Sequence, residues 1–147
     1  MKKVIKKVSI GCDHAGYEYK TFLIKKLKKL GMEVVDRGTY GADSVDYPDF
    51  AHPVAEDVSS GKVSFGVLLC GTGNGVCMTV NKHEGVRAGL CWTVEVAQLI
   101  RMHNDANVLC IPARFVSKVM AGRLLDAFIS TDFEGGRHQN RIDKISC

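Results

Sequence analysis

The stretch SFGVLLCGTGNG, residues 64–75, decides the fold. Its first half is a continuous apolar run ending at Cys70, the pattern of a strand covered on both faces. Its second half, Gly71 to Gly75, is a glycine loop that leads into VCMTVNK (76–82), which reads as a helix. A buried strand, a tight glycine turn and a helix make one unit of a parallel α/β architecture.

The same alternation continues on both sides. Upstream, KVSIGCD (7–13) reads as a strand and YKTFLIKKLKKLG (19–31) as a helix stopped by Gly31. That helix places Phe22, Leu23, Leu27 and Leu30 on one face and lysines on the other. MEVVDRG (32–38) is a second strand, followed by a polar loop through Asp43 and Asp46. Residues 48–60 form a helix with Ala51, Val54, Ala55 and Val58 inward. Downstream, VRAGLC (86–91), VEVAQLIRMH (94–103), NVLCIP (107–112) and FVSKVMAGRLLDAFIS (115–130) repeat strand and helix twice more. Crossover helices join parallel strands, because hairpins cannot. The expected fold is a three-layer α/β/α sandwich on a Rossmann-like five-stranded parallel sheet. No linker, repeat or low-complexity tract divides it, so residues 1–147 read as a single domain. The last segment, TDFEGGRHQNRIDKISC (131–147), is too polar for core and reads as a C-terminal arm.

Composition narrows the class. With 147 residues, 46% hydrophobic and 24% charged, the chain has the balance of a soluble globular protein. No apolar run approaches the ~18 residues of a membrane span, and the Lys-rich start lacks the apolar stretch of a signal peptide. A cytoplasmic location and no membrane partner are expected. The net charge of +4 is modest, and its lysines gather at 2–7 and 20–29, as on solvated faces. With 7% aromatic residues and no continuous basic stripe, a nucleic-acid partner is not expected. None of the six cysteines forms a C-x-x-C pair, and no Cys/His clustering suits zinc. Reduced, mostly buried thiols and no metal follow.

Open parallel sheets bind ligands beyond the carboxyl ends of their strands, near the point where strand order reverses. That rule nominates Asp13 and His14, Cys70 to Gly75, Thr93, and Ala113 with Arg114. The loop CGTGNG ends a buried strand and opens a helix, so it is either a tight strand-to-helix turn or a cradle whose N–H groups can converge on an anion with the helix dipole behind them. It matches the dinucleotide fingerprint G-x-G-x-x-G only at Gly71 and Gly73, the third position being Val76. No Gly-Lys-Ser/Thr follows, which excludes a Walker loop. Cys70 at its mouth is either a small core hydrophobe or a thiol whose neighbouring N–H groups favour the thiolate, as base or nucleophile. Acyl transfer with His14 or His103 stays open on residue types alone.

Asp13 and His14 each have an ordinary reading, as a helix cap and a surface residue. Together at one strand end they are candidates for hydroxyl and phosphate contacts. His103 and Asn104 end the fourth helix, at the opposite edge of the sheet from Cys70. They join it only through a second subunit. Arg137 and Arg141 stand four apart, on one face if the arm is helical, and can grip a phosphate together. His52 and His83 receive no role.

GCDHAG (11–16), DYPDFA (46–51), GVLLCGTGNG (66–75), Asn81-Lys82, His103-Asn104-Asp105 and EGGRHQNR (134–141) occur in this order. Over essentially its whole length the chain resembles the type B ribose-5-phosphate isomerases, whose superfamily includes galactose-6-phosphate isomerase subunits and enzymes acting on allose 6-phosphate. The resemblance implies that Cys70 takes the proton from carbon two of the opened sugar. It implies that Thr72 and the amides of Gly71, Gly73, Asn74 and Gly75 stabilise the enediolate. His103 would open the furanose ring, with Asp13 orienting hydroxyls and Asn104 binding one. Arg137, His138 and Arg141, with His14 and Arg114, would hold the phosphate. A family branch that uses a glutamate six residues beyond the cysteine is a poorer match, since Val76 stands there. One galactose-6-phosphate isomerase subunit type lacks part of this set; this chain has all of it. A homodimer or dimer of dimers with shared sites, a sugar-phosphate substrate and no cofactor are therefore expected. The competing readings are isomerisation of a hexose 6-phosphate, a non-catalytic sugar-phosphate binder, and a nucleotide-binding module.

Overall fold

The computed structural model describes residues 5–147. Part of the lysine group at 2–7 therefore lies outside the described residues. The strands are β1 (Lys7–Cys12), β2 (Glu33–Asp36), β3 (Phe65–Cys70), β4 (Ala88–Leu90) and β5 (Val108–Pro112). The helices are α1 (Tyr17–Lys29), α2 (Tyr47–Ser59), α3 (Asn74–Val80), α4 (Val94–Asn104), α5 (Lys118–Ser130) and α6 (Arg137–Asp143), with a short 3-10 turn at His14–Gly16. All strand pairings are parallel, in the order β2-β1-β3-β5-β4. The chain runs outward from β1 to β2 and restarts at β3 on the other side of β1. The switch point is therefore the crevice between the ends of β1 and β3.

The core explains why β3 is apolar throughout. Val67 and Leu69 face a cluster built with Leu23 and Leu27 of α1, Ala97 of α4, and Leu124 and Leu125 of α5. Leu68 and Cys70 face the other side, against Ala51 and Val54 of α2 and Val76 and Val80 of α3. Two faces covered by helices require apolar residues at every position, and all six strand residues are buried.

Several boundaries and faces depart from the sequence reading. In α1, Phe22 is 37% and Leu30 51% exposed, while Lys20 is buried at 2%. Lys20 turns inward because its ammonium meets Asp36 Oδ1 at 2.6 Å, at the end of β2, and lies 5.1 Å from the Tyr40 ring centroid. Leu30 lies past the last helical residue. The helix expected at 115–130 starts only at Lys118, where Ser117 Oγ accepts from the Met120 N–H at 3.0 Å and caps it. The third helix begins at Asn74, so the end of the glycine loop is already its first turn. The tail is polar, as its composition implies, yet its helix α6 docks against α4 and buries His138 and Ile142.

Candidate active site

Parallel register places the first group of candidates together. β1 and β3 pair up to Cys12↔Leu69, and β3 and β5 up to Cys70↔Pro112. The residues that follow each strand therefore emerge side by side. The Asp13 N–H donates to Leu69 O at 3.2 Å, and the Ala113 and Arg114 N–H groups donate to Cys70 O and Gly71 O at 2.9 and 3.0 Å. Asp13 is buried and its Oδ1 caps the 3-10 turn, accepting from Ala15 N–H at 2.9 Å. The ordinary role of Asp13 as a cap and its place at the switch point thus coincide. His14 Nδ1 accepts from the Val45 N–H at 3.2 Å, which fixes its ring and ties down the loop after β2.

The glycine loop has the shape an anion needs. Gly73 is left-handed at φ 74°, and a Cβ there would press on Leu90 and stand 3.2 Å from the Ile111–Pro112 backbone. Thr72 Oγ1 accepts from the Asn74 N–H at 3.3 Å, holding the turn. Arg114 lies over the loop, with Nη1 3.2 Å from where a Gly71 Cβ would be. Cys70 is 4% exposed at the base of this cradle. The fold rule missed Tyr47, whose ring covers Gly75 so closely that a Cβ would fall 2.6 Å from it. Only the family motif DYPDFA signalled it. Thr93, also nominated, caps α4 by accepting from the Val96 N–H at 3.3 Å.

The second group sits elsewhere. His103, Asn104, Arg137, His138, Arg141, Ile142 and Ile145 line a cleft of about 380 Å³. His103 and His138 stack with ring centroids 4.3 Å apart. α4 ends just before Val108, which pairs with Gly66 near the start of β3, whereas Cys70 is that strand's last residue. About 13 Å of strand separates the two levels. Within one chain the structure does not bring His103 to Cys70.

Tertiary folding also assembles a donor set that sequence spacing did not reveal. His103, Glu134 and His138 place ligand atoms within 4.8 Å of one another. The set suits an anion site better than a cation site, because Arg137 and Arg141 line the same cleft and Glu134 already pairs with His138 at 3.3 Å. His52 and His83, given no role above, are hydrogen-bonded to each other at 2.6 Å on the surface.

The thiols divide by environment. Burial pushes Cys12 and Cys91 up to about 12 and also raises Cys110 well above the ordinary range. Cys77 is held low by a hydrogen bond from Cys110. All six cysteines are free, and Cys147 is exposed. Among the described residues no helix is long and apolar enough to cross a membrane.

Comparison with known proteins agrees over nearly the full chain. Residues 8–145 match the Ribose/Galactose Isomerase family. Ribose-5-phosphate isomerase B of Escherichia coli is 42% identical over 143 residues, covering 97% of this chain and 96% of that protein. The ribose-5-phosphate isomerase B structure from Clostridium thermocellum superposes with a TM-score of 0.93 at 45% identity, covering 95% of this chain and 94% of the other. The Mycoplasma genitalium enzyme, solved with bound ribulose-5-phosphate, gives 0.92 at 45% identity, covering 95% and 93%. The chain therefore belongs to the ribose/galactose isomerase family, that of the type B ribose-5-phosphate isomerases.

Proposed function

We propose that this protein interconverts ribose 5-phosphate and ribulose 5-phosphate through an enediolate, with Cys70 as the base. The observation that carries the reading is the convergence of Cys70, Asp13 and the left-handed glycine loop at the switch point. The likeness to a structure holding ribulose-5-phosphate adds to it.

In this mechanism His103 opens the furanose by moving a proton between the ring oxygen and the anomeric hydroxyl. The Cys70 thiolate then takes the proton from carbon two. The electrons of that bond form the carbon–carbon double bond, and the carbonyl oxygen on carbon one becomes an oxyanion. Amides of Gly71, Gly73, Asn74 and Gly75, with the Thr72 hydroxyl, stabilise that charge as preorganised donors. The proton of the carbon-two hydroxyl then passes to the carbon-one oxyanion, and as the carbon-two carbonyl forms the Cys70 thiol returns its proton to carbon one, which gives the ketose and restores the thiolate. No electron leaves the substrate, so the chemistry calls for no redox cofactor, and the hydrogen-bond donors of the loop take the role of stabilising the oxyanion. Asp13 and Asn104 orient hydroxyls, while Arg137, His138 and Arg141, with His14 and Arg114, hold the phosphate.

The site is completed by a second copy of the chain. A two-fold dimer that lays the His103 cleft of one protomer over the Cys70 cradle of the other makes two identical sites, and dimers can pair further. A single folded domain in the cytoplasm, without a nucleic-acid or membrane partner, suffices for this role. Steady-state turnover of ribose 5-phosphate measured beside allose and galactose 6-phosphates tests the substrate. A hexose phosphate turned over faster than ribose 5-phosphate reassigns it, and no turnover of any leaves a sugar-phosphate binder.

A further inference from the structure

His103 and Asn104 belong to a tripeptide whose third residue, Asp105, has no part in the mechanism above. Asp105 is the one non-glycine residue with a positive φ among those described, at φ 45° and ψ 45°. An aspartate tolerates this left-handed conformation without favouring it, so the surroundings must hold the turn.

Two arginines hold it from opposite sides. Arg87, just before β4, donates from Nε to Asn104 O at 3.1 Å and from Nη2 to Asp105 O at 2.9 Å. The same Nη2 reaches Asp105 Oδ2 at 3.4 Å. Arg101, one turn earlier in α4, donates from Nη1 to Asp105 Oδ1 at 2.9 Å and to Ala106 O at 2.6 Å. The carbonyls of Asn104, Asp105 and Ala106 at the helix end are thus taken by two guanidinium groups, and the Asp105 carboxylate lies between those two cations. Arg87 is itself fixed, since its backbone N–H donates to Asn107 Oδ1 at 2.8 Å.

The cluster also reaches the tail. Arg101 Nε donates to Thr131 O at 3.2 Å, at the end of α5, and the Glu134 N–H donates to Met102 O at 3.1 Å. The segment carrying Arg137, His138 and Arg141 therefore takes its position from the same turn that carries His103 and Asn104. We infer that Asp105, clamped between Arg87 and Arg101, is a positioning residue for the isomerisation. It sets the backbone path through His103 and Asn104 and their register with His138, and it touches no reacting atom. The inference rests on the reading in which His103 opens the sugar ring.

A residue that only capped a helix would change stability and leave the reaction steps in proportion. Two reactions of the full-length protein separate the cases. Turnover of ribose 5-phosphate begins from the furanose and needs ring opening. Exchange of the carbon-one proton of saturating ribulose 5-phosphate with deuterated solvent begins from an open chain and does not. Asp105→Ala and Arg87→Met are expected to lower ribose 5-phosphate turnover about 10- to 100-fold while exchange stays within about twofold of the parent. Asp105→Asn keeps an acceptor and suits the left-handed turn, so it should lie nearer the parent. Undiminished exchange also shows that the variants are folded. Equal losses in both reactions, or parental turnover in all three variants, overturn the inference alone. A parent protein that does not turn over ribose 5-phosphate overturns the functional reading beneath it.

Discussion

His103 lies flat on His138, the two rings 15° from parallel, so that one residue from the end of α4 and one from the tail share a single wall of the cleft. Arg137 and Arg141 line that same cleft from α6. A phosphate held there is gripped in ground state and transition state alike. Arg141→Ala or Arg137→Ala should therefore raise KM by about tenfold or more, the worth of a charge-assisted hydrogen bond, with little change in kcat. Parental KM in both variants would leave α6 as no more than a docked arm.

The separation of His103 from Cys70 along β3 and β5 makes assembly testable. Cys70→Ala and His103→Ala proteins should each be inactive, because every site in either homodimer lacks one group. Mixed under subunit exchange, they form heterodimers with one intact site and one doubly defective site, and partial activity should return. A parent that is fully active as a monomer would contradict the shared-site arrangement.

Much of this was legible in the sequence because the signals were local. The apolar run 65–70 announced a doubly covered strand, and the glycines after it announced a turn at a strand end. Asp13, Cys70 and Arg114 were placed by the strand-end rule without any contact being known. What escaped depends on distant partners. Lys20 reads as solvated until Asp36, sixteen residues away, arrives beside it. The cluster of His103, Glu134 and His138 needs α6 to fold back on α4, and no spacing encodes that. Composition likewise marked the tail as an arm but could not reveal that Ile142 gives it a buried anchor.

Metal dependence has a clear expectation. The His103, Glu134 and His138 donors share their cleft with two arginines, Glu134 already contacts His138 at 3.3 Å, and the proposed chemistry moves only protons. Turnover should survive prolonged treatment with EDTA unchanged. Loss of activity that one divalent metal restores would show that the donor set works as a metal site.

Acid stability follows from an ion pair remote from the chemistry. Asp57 is buried, which pushes its carboxyl up, but bidentate hydrogen bonds from Arg37 at 2.6 and 2.8 Å, one from Ser9 and the nearby Lys62 more than offset this. Its folded value lies below the ordinary 3.8. The contribution is therefore complete at neutral pH and lost as pH falls through the folded value. Asp57→Asn should cost about 2–3 kcal/mol at neutral pH, since it leaves Arg37 without its anion. In chemical denaturation the gap between variant and parent should narrow below pH about 4. A gap that is constant down to acid denaturation would mean that packing, not charge, is the role of Asp57.

The mechanism itself turns on Cys70. It ends β3 at the base of the glycine cradle, while Val76, one turn into the following helix, is buried and carries no titratable group. Cys70→Ala should lower kcat by about 10³-fold or more, with binding and folding close to the parent's. Cys12, Cys91 and Cys110 sit in apolar surroundings that disfavour the thiolate, so their alanine variants should lose stability and not chemistry. Cys77 is the sharper control, because its thiol is shifted down by Cys110 while it faces away from the cradle, bonded to Ala88 O at 3.5 Å. A thiol outside the cradle should be dispensable, and Cys77→Ala should retain turnover. Exchange of the carbon-two proton of ribose 5-phosphate with deuterated solvent reads the abstraction step directly. Exchange at the parental rate in Cys70→Ala would place the base on another residue.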